Sequence, residues 1–262
     1  MQQGIASQQF HLEDIFEEGW RVFTSIFTKC APIVLVLGFV TNILANLTVQ
    51  KLGLGAFVEA GRITERDALK IEAGIDKFFT FLIFSVAIIA VVKFAERAVT
   101  RRDCTLSDAL GEGIRRWPSY LWTSWLGGVI IGALCLLLIV PGIIWAVYYT
   151  FVPYVVSVTS VSGKAALNYS KSLVKGRFWR TLGYVFVIGV AASIPTMILA
   201  AAGTAVDQLV ANVSTSLVAT VVIPALTDTI ANLPIILQLS LGTVFFLNTA
   251  YLARRSGSTA NG

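Results

Sequence analysis

The chain has 262 residues, 56% of them hydrophobic and only 13% charged, with a mean hydropathy of +0.76. Soluble domains carry roughly 25% charged residues, so this chain has about half the charge that a water-facing surface needs. That excludes a soluble enzyme, a disordered protein and a disulfide-rich secreted module. The formal net charge is +5, but in a membrane protein the placement of basic residues matters more than their sum.

The N-terminal stretch MQQGIASQQFHLEDIFEEGW lacks a basic region followed by an apolar run and a small-residue cleavage site. No cleaved signal peptide is expected there. Leu12, Ile15, Phe16, Gly19, Val22, Phe23, Ile26 and Phe27 instead mark one face of a helix. Such a helix is expected to lie in the interface with its apolar side against the acyl boundary. Apolar spans follow near 31–49, 78–94, 120–139, 143–158, 179–202 and 232–252. Each is of the order needed to cross the ~30 Å hydrocarbon core. Residues 51–77 read as a long charged external loop. Val140-Pro141-Gly142 reads as a tight hairpin turn. The segment 205–230 is apolar but diluted by Asn212, Ser214, Thr215, Ser216, Pro224 and Asp228, and is expected to be interfacial or re-entrant rather than a seventh span.

Charge placement sets the expected orientation. With the N-terminus inside, the cytoplasmic segments hold Arg21, Lys29, Arg254, Arg255, the six basic residues between 93 and 116 and the five between 164 and 180. The other five basic residues lie between Lys51 and Lys77, where Glu59, Glu65, Asp67, Glu72 and Asp76 balance them. The positive-inside rule therefore predicts both termini in the cytoplasm.

A unit recurs three times. Leu12-Glu-Asp-Ile-Phe-Glu-Glu-Gly19-Trp20 precedes one apolar span, and Leu106-Ser-Asp-Ala-Leu-Gly-Glu-Gly113 with Trp117 precedes another. Ala166 to Gly176 with Trp179 forms a weaker third copy. The predicted fold is all-α integral membrane, with three repeats of amphipathic interface helix plus transmembrane hairpin, near 8–94, 105–158 and 163–252, and a polar tail at 253–262. Trp20, Trp117 and Trp179 are the expected interface anchors, since an indole is apolar on its body and polar at its N–H.

Two groups of polar residues are candidates for function. Lys164, Asn168, Lys171 and Lys175 are spaced to form one stripe, and residues 159–180 hold five basic side chains, Arg177 and Arg180 included, with no acidic one. They read either as a site for anionic lipid headgroups or as ordinary positive-inside topology with snorkelling lysines. Asn42 and Asn46, with Gln238 and Asn248, sit inside spans. They read as interhelical contacts or as the lining of a polar path. Gly128-x-x-x-Gly132 and Gly189 with Ser193 are spacings that allow close helix packing, within the chain or in a dimer.

Catalytic chemistry finds no foothold. His11 is the single histidine, away from any acid–base partner, whereas nucleophilic catalysis needs a base beside the nucleophile. There is no metalloprotease, P-loop or dinucleotide motif. Cys30, Cys104 and Cys135 share no short spacing, which argues against a disulfide framework or a zinc site. The expectation is no enzyme, no cofactor, no metal and no nucleic-acid partner.

At IVPGIIWAVYYTFVPYVV, followed by KAALNYSKSLVKGRFWRTLGYVFVIGV, the sequence resembles the bacterial six-span inner-membrane proteins of the YciC type. These resemble in turn the membrane domain that precedes some glycerophosphodiester phosphodiesterases. The matching features are Val140-Pro-Gly-Ile143, Pro153, the Ala-Leu-x-x-Ser-x-x-Leu-x-x-Gly helix at 166–176 and, more loosely, Tyr251-Leu-Ala-Arg254. The likeness covers about 106–255 and is poor over 50–80. It implies a multi-pass protein of the bacterial cytoplasmic membrane and no catalytic residues, because the phosphodiesterase residues lie in a separate soluble domain. The expected function is non-enzymatic binding of lipid, anionic phospholipid among them, or of a partner membrane protein or second copy, in envelope organisation. The alternative is a small-solute transporter or channel lined by the first and last spans.

Overall fold

The computed structural model describes residues 11–159, 161–213 and 216–259, with side chains to Arg254. The start of the first predicted repeat, Ser214 and Thr215 of the ambiguous segment, and the last three residues of the tail lie outside the described residues. Everything regular in the described residues is helical: α1 (Leu12–Leu52), α2 (Leu54–Glu59), α3 (Glu65–Phe79), α4 (Ser85–Thr100), α5 (Leu106–Leu137), α6 (Ile139–Tyr148), α7 (Val152–Val158), α8 (Gly163–Val174), α9 (Phe178–Ala211), α10 (Ile223–Ala231) and α11 (Ile235–Thr259). Wide π-helical turns at Thr80–Phe84 and Val218–Val222 lead into α4 and α10. Six stretches are long and apolar enough to cross a membrane: Leu12–Glu59, Glu65–Thr100, Leu106–Leu137, Ile139–Val158, Phe178–Ala211 and Val218–Arg254. The chain is a multi-pass, all-α membrane protein. In hydrocarbon a helix satisfies its own backbone groups, which is why the apolar runs adopt no other form.

Several predicted boundaries are corrected. The first two amphipathic helices are continuous with their spans, because Pro32 and Pro118 lie inside α1 and α5 without ending them. Only the third copy is separate: α8 stops at Lys175, and Gly176 follows with φ +82°, a left-handed conformation that glycine adopts without strain. The predicted external loop 51–77 is mostly helical, with α3 starting at a Thr64 side chain that accepts from the Asp67 N–H. The second hairpin turns at Leu138 (φ −157°, ψ 130°), and Pro141 and Gly142 sit in the first turn of α6. A proline costs little there, since its missing N–H would have no intrahelical partner. Gly142 allows close approach, because a Cβ on it would lie 3.1 Å from Cys135 Cα. The segment 205–230 adds no seventh span: its described residues are the end of α9, the π-helical turn Val218–Val222 and most of α10, within the stretch Val218–Arg254.

The chain forms two compact units. One comprises Met1–Cys30, Ile88–Ala192 and Ile235–Gly262, the other Ala31–Ala87 and Ser193–Pro234. Each passage between them falls beside a helix irregularity: Pro32, the π turn before Ser85, Pro195, and the break ending at Pro234.

In the first unit the predicted apolar face of α1 is turned inward. Ile15, Val22, Ile26 and Cys30 are fully or almost fully buried, so this face packs on protein and not on acyl chains. Gly19 makes the fit possible, since a Cβ there would stand 3.1 Å from Leu241 Cα. Phe151 is the aromatic centre, with Phe245 and Phe246 rings 5.2 and 5.8 Å away and Tyr154 stacked on Phe246. In the second unit Gly38 lies against Thr229 and Phe84, and the Asn42 amide donates to Thr229 Oγ1 at 3.0 Å. Among the described residues nothing lies within 4 Å of a Cβ at Gly128 or Gly132, whereas their neighbour Gly127 packs against Leu167 and Tyr149. Gly189 likewise meets nothing at its Cβ position.

Two glycine substitutions separate these roles. Gly19→Val is expected to destabilise by roughly 1–3 kcal/mol through overpacking. Gly128→Ala is expected to be neutral or to stabilise by up to about 1 kcal/mol through helix propensity. Thermal unfolding of the two variants in detergent checks both signs.

Candidate functional site

The strongest assembly of polar side chains in the first unit surrounds α8. Ala166, Leu167, Ser170, Leu173 and Val174 form its buried face, while Lys164, Asn168 and Lys175 are exposed on the other. The apolar face predicted for the acyl boundary therefore lies within the protein. Three anchors hold the helix. Thr123 Oγ1 accepts from the Gly163 N–H at 2.7 Å, at the start of α8. The Ser170 hydroxyl donates to the Tyr148 carbonyl at 2.7 Å and accepts from the Phe151 N–H at 3.3 Å. Lys171 lies over Trp145, its Nζ 4.2 Å from the ring centroid, an attraction of the kind that orients an ammonium on an indole face.

Ser170 thus fills the break between α6 and α7. Without it, a carbonyl and an N–H would be left unpaired inside a spanning segment, where such groups are costly. A second break is closed by Arg116, whose guanidinium donates to the Val156 carbonyl at 2.9 Å and to the Thr159 carbonyl, the last acceptors of α7. Glu112 accepts from Arg116 at 3.3 Å and from Arg115 Nε at 2.8 Å. A cation at a helix C-terminus also complements the helix dipole. Arg116 is one of the six basic residues between 93 and 116 that set the expected orientation, and nothing local in the sequence marks a contact across some 40 residues.

The other predicted basic residues extend this surface. Lys175 ends α8, Arg177 is half-buried, and the Arg180 guanidinium sits 5.0 Å from the Tyr184 ring centroid. Of the expected anchors, Trp20 is 57% and Trp179 80% exposed, while Trp117 is half-buried. Trp122 and Trp125 form a stacked, exposed pair that the repeat pattern did not single out. The turn from α5 into α6 exposes Leu136, Leu137, Leu138, Ile139 and Val140, the apolar edge expected of a lipid-facing hairpin.

The polar span residues divide. Asn42 and Asn46 line one cavity of about 370 Å³ in the second unit, together with Glu72 and Asp76 of α3 and Asp228 of α10. Asn42 is buried and bonded to Thr229, whereas Asn46 Nδ2 is buried with no hydrogen-bond partner among the described residues. Gln238 lines a different cavity, within the first unit, beside Tyr154 and Phe245. Asn248 is buried in α11. The four do not converge in one unit. Cys30, Cys104 and Cys135 are free thiols. No cluster of three or more metal-ligating side chains occurs among the described residues.

Comparison with known proteins finds no match: no family model, curated protein or solved structure is similar to this chain.

The two arginines beside Glu112 have separable roles. Arg116→Ala leaves the Val156 and Thr159 carbonyls, at and just beyond the end of α7, without this donor and is expected to destabilise by about 2 kcal/mol. Arg115→Ala removes an exposed pair and is expected to change stability by no more than about 0.5 kcal/mol. Unfolding midpoints of the two variants in the same detergent provide the check.

Proposed function

We propose that the chain is a non-enzymatic multi-pass protein of the bacterial cytoplasmic membrane, both termini cytoplasmic, that holds anionic phospholipid headgroups on the exposed face of α8. Through that surface it organises lipid, or lipid with a partner protein, in the envelope. The observation that carries this reading is the sidedness of α8. Its apolar face is occupied by protein, and its outward face presents Lys164, Asn168 and Lys175, with no acidic residue between 159 and 180. A snorkelling lysine needs only a stem along apolar surface. Here the helix beneath the lysines is held by Thr123 and Ser170, so the charges are fixed relative to one another. The exposed Trp179 follows on the same chain segment, and an indole favours headgroup depth, which supports the reading. Membership of the YciC-type group belongs to the same proposal, since the 166–176 segment that carries much of the resemblance holds most of α8.

A basic residue beside an anionic leaflet contributes about 1 kcal/mol. Replacing the exposed Lys164 and Lys175 together by Gln therefore removes roughly 2 kcal/mol, on the order of thirtyfold in affinity. Native mass spectrometry of the protein from phosphatidylglycerol-containing nanodiscs reads this directly. At least a tenfold loss of retained anionic lipid is expected, with unchanged insertion and yield; equal retention overturns the proposal.

A second reading, passive passage of a small solute through the second unit, is favoured by one observation: the unpartnered Asn46 amide nitrogen in the cavity it shares with Asn42. Stopped-flow light scattering of proteoliposomes in a glycerol gradient tests it. Glycerol flux that Asn46→Leu abolishes supports this reading, and flux no faster than that of empty liposomes removes it.

A further inference from the structure

A cavity of about 370 Å³ in the first unit, away from the exposed face of α8, has no role in the reading above. It opens among the ends of α4, α7 and α11, with Tyr169 of α8 as one wall. Thr100 is the last residue of α4 and Val158 the last of α7, so the cavity stands where two apolar helices end. Its lining is graded along a single helix face. Phe246, Leu247, Ala250, Tyr251 and Arg254 follow one another on α11, a run of about 12 Å at ~1.5 Å per residue. The inner end is apolar and the outer end is a guanidinium.

The Thr100 and Thr159 hydroxyls of this cavity are bonded to backbone carbonyls, but four of its polar groups are uncommitted among the described residues. Arg254 has no ion pair or hydrogen bond among the described residues, and the hydroxyls of Tyr169 and Tyr251 have no bonded partner there. Glu96 is mostly buried, and its Oε2 pairs with the buried Lys93 ammonium at 2.8 Å. Its Oε1 remains as an acceptor without a donor. Lys93 balances Glu96, so Arg254 leaves the cavity with one net positive charge. The ligand that matches carries one anionic group for Arg254 and the tyrosine hydroxyls, a terminal donor for Glu96 Oε1, and an apolar body to lie along Phe246 and Leu247.

We propose that this cavity is a selective site for a single phospholipid whose phosphodiester headgroup ends in a hydrogen-bond donor, the ammonium of ethanolamine or the hydroxyl of glycerol. An arginine is suited to the phosphate by its fork of N–H donors. The donor requirement excludes choline headgroups, whose quaternary nitrogen has no N–H. The site shares with the preceding proposal only the class of ligand; its residues are different, and the two fail separately.

The test uses the full-length protein, delipidated in detergent and offered short-chain dihexanoyl phosphatidylethanolamine, phosphatidylglycerol or phosphatidylcholine, or water-soluble glycerophosphoethanolamine, with bound adducts counted by native mass spectrometry. One ethanolamine or glycerol lipid per chain is expected, at least tenfold tighter than the choline lipid and than the chain-free headgroup. Arg254→Gln, at an exposed position, is expected to lower that adduct at least tenfold, and Tyr251→Phe severalfold. The Lys164 and Lys175 double Gln variant, at exposed positions, is expected to keep it. An Arg254→Gln protein that binds as wild type, or a choline lipid bound as tightly as the ethanolamine lipid, overturns the proposal. Equal binding of glycerophosphoethanolamine also overturns it, by showing a soluble phosphodiester ligand instead.

Discussion

The hydroxyl of Ser170 does two jobs with one oxygen, donating to Tyr148 and accepting from Phe151. The constraint behind it is that hydrocarbon supplies no partner for a backbone N–H or C=O. The fourth span is interrupted between Tyr148 and Val152, and an interruption at that depth is tolerated only where protein fills it. Ser170 fills it from α8, which ties the basic helix to the spanning bundle. Arg116 applies the same solution at the end of α7, and Thr123 at the start of α8. The charged surface is thus a consequence of where the span breaks: the helix that repairs the break turns its lysines outward.

That dependence explains which parts of the fold could be read in advance. Long apolar runs mark spans because length and hydropathy are local properties, and all six appear. Helix continuity is not local. The repeat pattern sets helix ends near Gly19 and Gly113, yet the two helices run on through them and through Pro32 and Pro118, although a proline inside a helix is unfavourable by about 3 kcal/mol in water. Both are inside helices, because neighbouring segments of a membrane bundle re-satisfy freed backbone groups. Periodicity likewise shows that one face of α1 is apolar without showing what covers it. Ile15 and Val22 are covered by protein, and Gly19 is small because Leu241 lies against it. A contact between residues so far apart leaves no trace in spacing.

The candidate sites divide along the same line. The lysine stripe was legible because Lys164, Asn168, Lys171 and Lys175 lie on one helix, where position along the chain determines face. The grouping of Asn42 and Asn46 was legible for that reason too, and both line one cavity. Pairing them with Gln238 and Asn248 required knowing how distant helices assemble, and those two belong to the other unit. The cavity at Arg254 draws on four separate helices. Its only linear signature is the run from Phe246 to Arg254, which by itself reads as the end of an apolar span.

The two proposed lipid contacts differ in physical kind. Exposed lysines on α8 attract any anionic surface, since a solvated ammonium has no directional demand and its field decays over a Debye length. Such a surface supplies affinity with little discrimination. A cavity in which a guanidinium, two phenol hydroxyls and a carboxylate oxygen each await a partner behaves differently. A headgroup that lacks one matching group leaves a half-buried polar atom unpaired, and that penalty is larger than the gain from any one contact. Selectivity therefore resides with Arg254, Tyr169, Tyr251 and Glu96, and general attraction with α8. Tyr169, on α8 itself, links the two, because the Ser170 anchor that holds the lysines outward also fixes the neighbouring tyrosine in the wall of the cavity.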